Sequence, residues 1–100
     1  MDAFEALAEP NRRRILDALM AGERPAGDLV EALGLSQPGV SKHLKTLKEA
    51  GLVQVRADGQ RRLYRLDARG MAQCFAWLAP HRRFWASRLS ALEEHLEREQ

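Results

Sequence analysis

Gly34-Leu35-Ser36-Gln37-Pro38-Gly39-Val40-Ser41-Lys42-His43-Leu44-Lys45, closed downstream by Ala50-Gly51-Leu52-Val53, is the stretch on which the fold turns. Just before it, Leu29, Val30 and Leu33 recur at helical spacing from about Ala26 onward. Gly34 then stands where a left-handed residue closes a helix, and Leu35 can tuck back onto it. Ser36 has the position of an N-cap, with Pro38 just inside the next helix, where its missing N–H does no harm. That next helix sets Val40, Leu44 and Leu47 on one side and ends at Gly51. Two helices joined by a three-residue turn are a helix-turn-helix, in which the first braces the second while one face of the second enters a major groove.

Downstream, Leu52, Val53 and Val55 read as a short strand, and Leu63, Tyr64 and Leu66 as a second. Asp58-Gly59 between them is a hairpin turn signal, since both residue types tolerate positive φ. A hairpin in this place is a wing. Upstream, Phe4, Leu7 and Ala8 make a short amphipathic helix that stops before Pro10. A second helix starts at Pro10, carries Ile15, Leu16 and Leu19 inward, and ends near Gly22. Asp67 reads as the N-cap of a last helical region running nearly to the end, either kinked at Pro80 or divided there into two helices. The expected class is mainly α with a small β-hairpin, a winged helix-turn-helix. Residues 1–67 form the DNA-binding core and residues 68–100 a C-terminal helical region for dimerisation, both within one domain.

The helical wheel says which side chains project. With Val40, Leu44 and Leu47 inward, Pro38, Lys42 and Lys45 lie on the opposite arc, Ser41 beside them and Gln37 at the N-terminal end. Gln can bind adenine through two hydrogen bonds, Ser can bond bases or phosphates, and Lys can meet guanine or phosphate. His43 lies on the flank, as a DNA contact or a packing residue. At the wing tip, Gln60, Arg61 and Arg62 can reach a minor groove or a phosphate. Neighbouring strand residues point to opposite faces, so the two arginines cannot share one task. Asn11 and Arg12, opening the second helix, could place a phosphate at a helix N-terminus or serve as plain surface.

Composition agrees and excludes much else. The chain of 100 residues suits one compact domain, and its net charge of +2 hides an uneven distribution. Residues 37–66 carry a local excess of five positive charges, while residues 1–36 sum to −3 and residues 87–100 to −2. A basic middle between acidic ends suits a polyanion. No apolar run approaches the length of a membrane span, and the start lacks the basic and apolar parts of a secretory signal. One cysteine, Cys74, cannot form an internal disulfide, which fits the cytoplasm. No phosphate-cradling glycine loop and no nucleophile with a His/Asp arrangement is present, so an enzyme is not expected, nor a cofactor.

Met71, Cys74, Leu78, His81, Trp85, Leu89, Leu92 and Leu96 recur at steps of three and four, one stripe along the last helical region. Such a seam needs a cover, either its own domain or a second copy. Trp77, Phe84 and Trp85 add aromatic area of the kind enriched in interfaces. A homodimer would set two reading helices about one DNA turn apart and predict a near-palindromic double-stranded operator. The competing class is a winged helix that binds another protein, though such a module would not need Gln37, Ser41 and Lys42 exposed beside a basic wing.

The run Ala8-Glu9-Pro10-Asn11-Arg12-Arg13-Arg14-Ile15-Leu16, together with Leu35-Ser36-Gln37-Pro38-Gly39-Val40-Ser41-Lys42-His43-Leu44 and Ala50-Gly51-Leu52-Val53, resembles the ArsR-type repressors over residues 1–67. The ending around Trp77-Leu78-Ala79-Pro80-His81-Arg82-Arg83-Phe84-Trp85 is similar to a subgroup of small autorepressors without a metal box. The resemblance implies a homodimeric repressor with Gln37, Pro38, Ser41 and Lys42 at the DNA-reading positions. Where metal-sensing relatives carry thiolates, this chain has Glu23-Arg24-Pro25-Ala26-Gly27-Asp28-Leu29, without cysteine. His81 and His95 lack the spacing of the other common site, so no metal is expected. One alternative stays open. Cys74 and His81, seven residues apart on the stripe, could meet their counterparts across a dimer as a metal or redox sensor, or could be plain interface residues.

Overall fold

The computed structural model describes residues 1–99. In chain order the elements are α1 (Ala3–Ala8), α2 (Pro10–Leu19), β1 (Arg24–Pro25), α3 (Ala26–Leu33), α4 (Gln37–Glu49), β2 (Val53–Asp58), β3 (Arg61–Leu66) and α5 (Ala68–Arg98). Local chemistry sets these limits. Asp2 caps α1 by accepting from the Glu5 N–H, and Glu9 caps α2 by accepting from the Arg12 N–H, with Pro10 in the first turn. Gly34, at φ 66°, ends α3 and donates its N–H to the Val30 carbonyl. Ser36 Oγ accepts from the Gly39 N–H at 3.1 Å and opens α4. At the far end Gly51, at φ 79°, lets its own N–H and that of Leu52 reach back to Lys48 and Leu47.

The sheet has three antiparallel strands in the order β1-β3-β2, not the bare hairpin expected. β1 is only two residues and contains a proline, so no alternating pattern announces it. It exists because Arg24 and Pro25 lie opposite Tyr64 and Leu63. The hairpin is also longer than expected, with Asp58 paired to Arg61 at its tip. Gly59 and Gln60 therefore form the turn, with Gly59 at φ 64°.

The core lies where α1, α2, α3 and α4 meet the base of the wing and the first turns of α5. Ala6, Ile15, Leu29, Val40, Leu44, Leu47 and Leu52 are each at most 1% exposed. Burying side chains of the size of Ile15 or Leu29 stabilises by about 1.5–3 kcal/mol apiece. Cys74 belongs to this core at 2% exposure and Met71 packs against it half-buried. That corrects the stripe: its first two members are covered by their own domain.

From Asp67, which caps it by accepting from the Arg69 N–H, α5 runs as one helix through Pro80. Its 31 residues extend about 46 Å at 1.5 Å per residue. Among the described residues every one from Phe75 to Glu99 is exposed. The helix therefore leaves its own domain after about three turns.

Candidate nucleic-acid interface

Val40, Leu44 and Leu47 are buried under α4, so the opposite face is turned outward. Gln37, Pro38, Ser41, Lys42 and Lys45 are all exposed on it. Gln37 and Pro38 occupy the first turn, which no acidic residue occupies. The face thus offers amide, hydroxyl and ammonium donors, a chemistry suited to base edges and phosphate. His43 departs from it. The imidazole is half-buried, with Nε2 3.9 Å from Glu9 Oε2, so it faces the α1–α2 corner.

The wing divides its arginines between two tasks. Arg56 binds Glu23 through Nε and Nη2, at 2.8 and 2.7 Å, and ties β2 to the segment before β1. That bidentate pair holds the Glu23 carboxyl below its ordinary pKa, chiefly through the hydrogen bonds from Arg56. Arg65 donates twice to Gln54 Oε1 across the strands. The sequence offered no spacing signal for the first link, because Glu23 and Arg56 lie in separate segments. The tip is freer. Gln60, Arg61 and Arg62 are exposed, and Arg61 lies 3.7 Å from the Asp58 carboxylate. Arg62 pairs in register with Ala57, and among the described residues no carboxylate lies in salt-bridge range of it. Of the basic residues in 37–66, Arg56 is the one held in a bidentate ion pair, while those at the tip and on α4 remain exposed.

Asn11 and Arg12 stand differently from expectation. Arg12 Nε donates to the Ala6 carbonyl at 2.7 Å and Nη2 to that of Glu5, so its guanidinium is turned onto the end of α1. Asn11 is half-buried and accepts from Arg14.

On α5, Leu78, Trp85, Leu89, Leu92 and Leu96 are 46–55% exposed, an apolar seam with no cover in the protomer. Trp77 stands at its shoulder, edge-on to Phe4 of α1 and stacked on His81 with ring centroids 4.3 Å apart. Arg88 lies over the Phe84 ring. Cys74 and His81 have different surroundings, one in the core and the other on this exposed aromatic surface. Among the described residues no group of three or more His, Cys, Asp or Glu side chains could hold a metal ion. Among the described residues no helix is long and apolar enough to cross a membrane.

The likeness to known proteins runs the length of this architecture. The family model described as "Bacterial regulatory protein, arsR family" matches residues 9–55, from the cap of α2 into β2. The HTH-type transcriptional regulator Rv2034 of Mycobacterium tuberculosis is 40% identical over 97 residues, 97% of this chain and 88% of its own length. The transcriptional repressor SdpR of Bacillus subtilis is 35% identical over 77 residues, covering 77% of this chain and 86% of that protein. Among solved structures, one described as a "possible transcriptional regulator for arsenical resistance" superposes with a TM-score of 0.76 at 41% identity, over 91% of this chain and 95% of that one. A homodimeric winged helix-turn-helix DNA-binding domain from Mycobacterium bovis, solved by solution NMR, gives 0.66 at 36% identity, over 77% of this chain and 71% of that one. With its helix-turn-helix, wing and long last helix in the same order, this chain belongs to the ArsR family of bacterial regulatory proteins.

Proposed function

We propose that the protein is a homodimeric transcriptional repressor that binds a near-palindromic DNA operator in the cytoplasm. The observation that carries this reading is the division of α4. Its inner side is locked into the core, while Gln37, Ser41, Lys42 and Lys45 share an exposed face, and Arg62 is exposed near the tip of the wing. Gln37 and Ser41 read base edges, Lys42 and Lys45 add charge toward the groove floor and phosphates, and the wing tip holds the flanking backbone. Residues 68–100 supply the association surface, through Leu78, His81, Trp85, Leu89, Leu92 and Leu96. The solved homodimer among the similar structures supports the pairing, and SdpR supports repression as the outcome. The buried lone thiol of Cys74 suits a reducing compartment.

Selection of bound fragments from genomic DNA, followed by binding of the recovered duplex at several salt concentrations, tests the reading. The expected result is a recurring inverted repeat bound with a steep negative dependence of log K on log salt, as phosphate-bound counterions are released. Binding that ignores sequence would refute it.

A further inference from the structure

The side chains of the basic run Arg12-Arg13-Arg14 are all engaged by the ends of other helices. Arg12 donates to the carbonyls of Ala6 and Glu5, and Arg13 Nη1 to those of Leu7 and Ala8, so the two close the end of α1. Arg14 reaches the opposite way. Its Nη2 donates to the Leu33 carbonyl at 2.9 Å, and its Nη1 donates to Asn11 Oδ1 at 3.2 Å. Leu33 is the last residue of α3, and its carbonyl is one that an α-helix leaves without an internal partner. Neither α1 nor α3 has a basic residue in its own last turn, where a cation is favoured. α2 supplies the cations from outside.

We propose that Arg14 is a positioning residue for DNA recognition. By fastening the end of α3 to α2, it fixes the turn from which α4 springs, and so the angle at which Gln37 and Ser41 meet base edges. Asn11 is its orienter, holding the guanidinium over the Leu33 carbonyl. The geometry favours this role over a phosphate contact. Among the described residues the other hydrogen bonds around the turn, Gly34 to Val30, Gly39 to Ser36 and Val40 to Ser36, join it only to α3 and α4. Arg14 is its hydrogen bond to α2. The proposal rests on the reading of the protein as a DNA-binding regulator.

Two duplexes test it: one selected by the wild-type protein from a random-sequence pool, and a shuffled duplex of the same composition. A wild type that selects no sequence overturns the DNA reading itself, before any variant is made. With selection in hand, Arg14→Gln is expected to weaken the selected duplex roughly three- to tenfold, the worth of one hydrogen bond. The shuffled duplex and the salt slope should hardly change. An equal loss on both duplexes, with the slope reduced by about 0.9, means a phosphate contact and overturns the proposal. No loss on either also overturns it. Arg14→Lys, which keeps the charge and a single donor nitrogen, should recover part of the discrimination. Circular dichroism and the thermal midpoint report whether Arg14→Gln is folded. If it is not, Asn11→Ala, which removes no charge, carries the test: lost discrimination supports the proposal, and wild-type discrimination overturns it.

Discussion

Gln37 and Arg62 are both exposed on the surface assigned to DNA, and elementary chemistry gives them opposite signatures. An amide reads an adenine edge through two directed bonds, whereas a guanidinium at a wing tip meets phosphate or a narrow groove shared by many sequences. Gln37→Ala should therefore relax discrimination at particular base pairs by about 1–3 kcal/mol, with little loss on unrelated DNA. Arg62→Ala should weaken every duplex alike and lower the salt slope by about 0.9. Competition binding against single-base variants of the selected site separates the two. Asp67 has a different task. It is 5% exposed, and bonds from the Arg69 guanidinium and then from the Arg69 N–H hold its carboxyl well below the ordinary carboxylate range. A depressed native pKa adds stability that is fully present above the unfolded value of about 3.9 and fades as pH falls toward the native one. Asp67→Asn should lower the denaturation midpoint at neutral pH, by a margin that shrinks as pH drops through the acid range. A margin that stays constant with pH would mean the cap acts without its charge.

Elements whose limits are written in local chemistry were legible, and those made by tertiary contact were not. Gly34, Ser36 and Gly51 punctuate α3 and α4 at the backbone itself, so both helices stand where the sequence placed them. β1 carries no such signal, since two residues opposite Leu63 and Tyr64 become a strand only once the wing has formed. Which face of α4 is exposed was equally readable, because burial of Val40, Leu44 and Leu47 determines what lies opposite. The arginines were not: periodicity and charge say nothing of which carbonyl or carboxylate a guanidinium meets, so Arg12 and Arg56 gave no hint of their partners. Periodicity likewise runs unbroken from Met71 to Leu96, although one end of the stripe is core and the other is bare. The docking of α5 depends on another unannounced contact. Gly70 donates its N–H to the Gly51 carbonyl at 3.1 Å, while the Asp67 N–H reaches Leu52 at 2.9 Å, so the helix starts directly on the α4–β2 corner. A Cβ at position 70 would overlap the Gly51 carbonyl oxygen. Despite the better helix propensity of alanine, Gly70→Ala should lose about 1–3 kcal/mol, as overpacking does. Urea denaturation measures it, and an unchanged midpoint would show that α5 can shift without loss.

At the scale of the molecule, a small domain carries a long apolar lever. The radius of gyration is 17.4 Å and the principal extents are 59 × 29 × 22 Å. A compact chain of this length would have a radius of about 13 Å. The excess lies in the outer part of α5, where Phe84, Trp85, Leu89, Leu92 and Leu96 stay about half exposed. Exposed apolar surface on this scale is a burden for a monomer and an interface for a dimer. Leu89 allows a clean test, because it is 55% exposed and the domain core does not depend on it. Leu89→Arg should leave the protomer folded while placing a charge in the seam, so at a micromolar concentration where the proposed function expects a wild-type dimer it should sediment as a monomer. DNA binding then changes in kind as well as in strength. A dimer senses the distance between half-sites, so five inserted base pairs, about half a turn, should weaken wild-type binding strongly. The monomeric variant holds one half-site at a time and should be indifferent to the insertion. If Leu89→Arg still sediments as a dimer and still senses half-site spacing, pairing does not run through the outer part of α5.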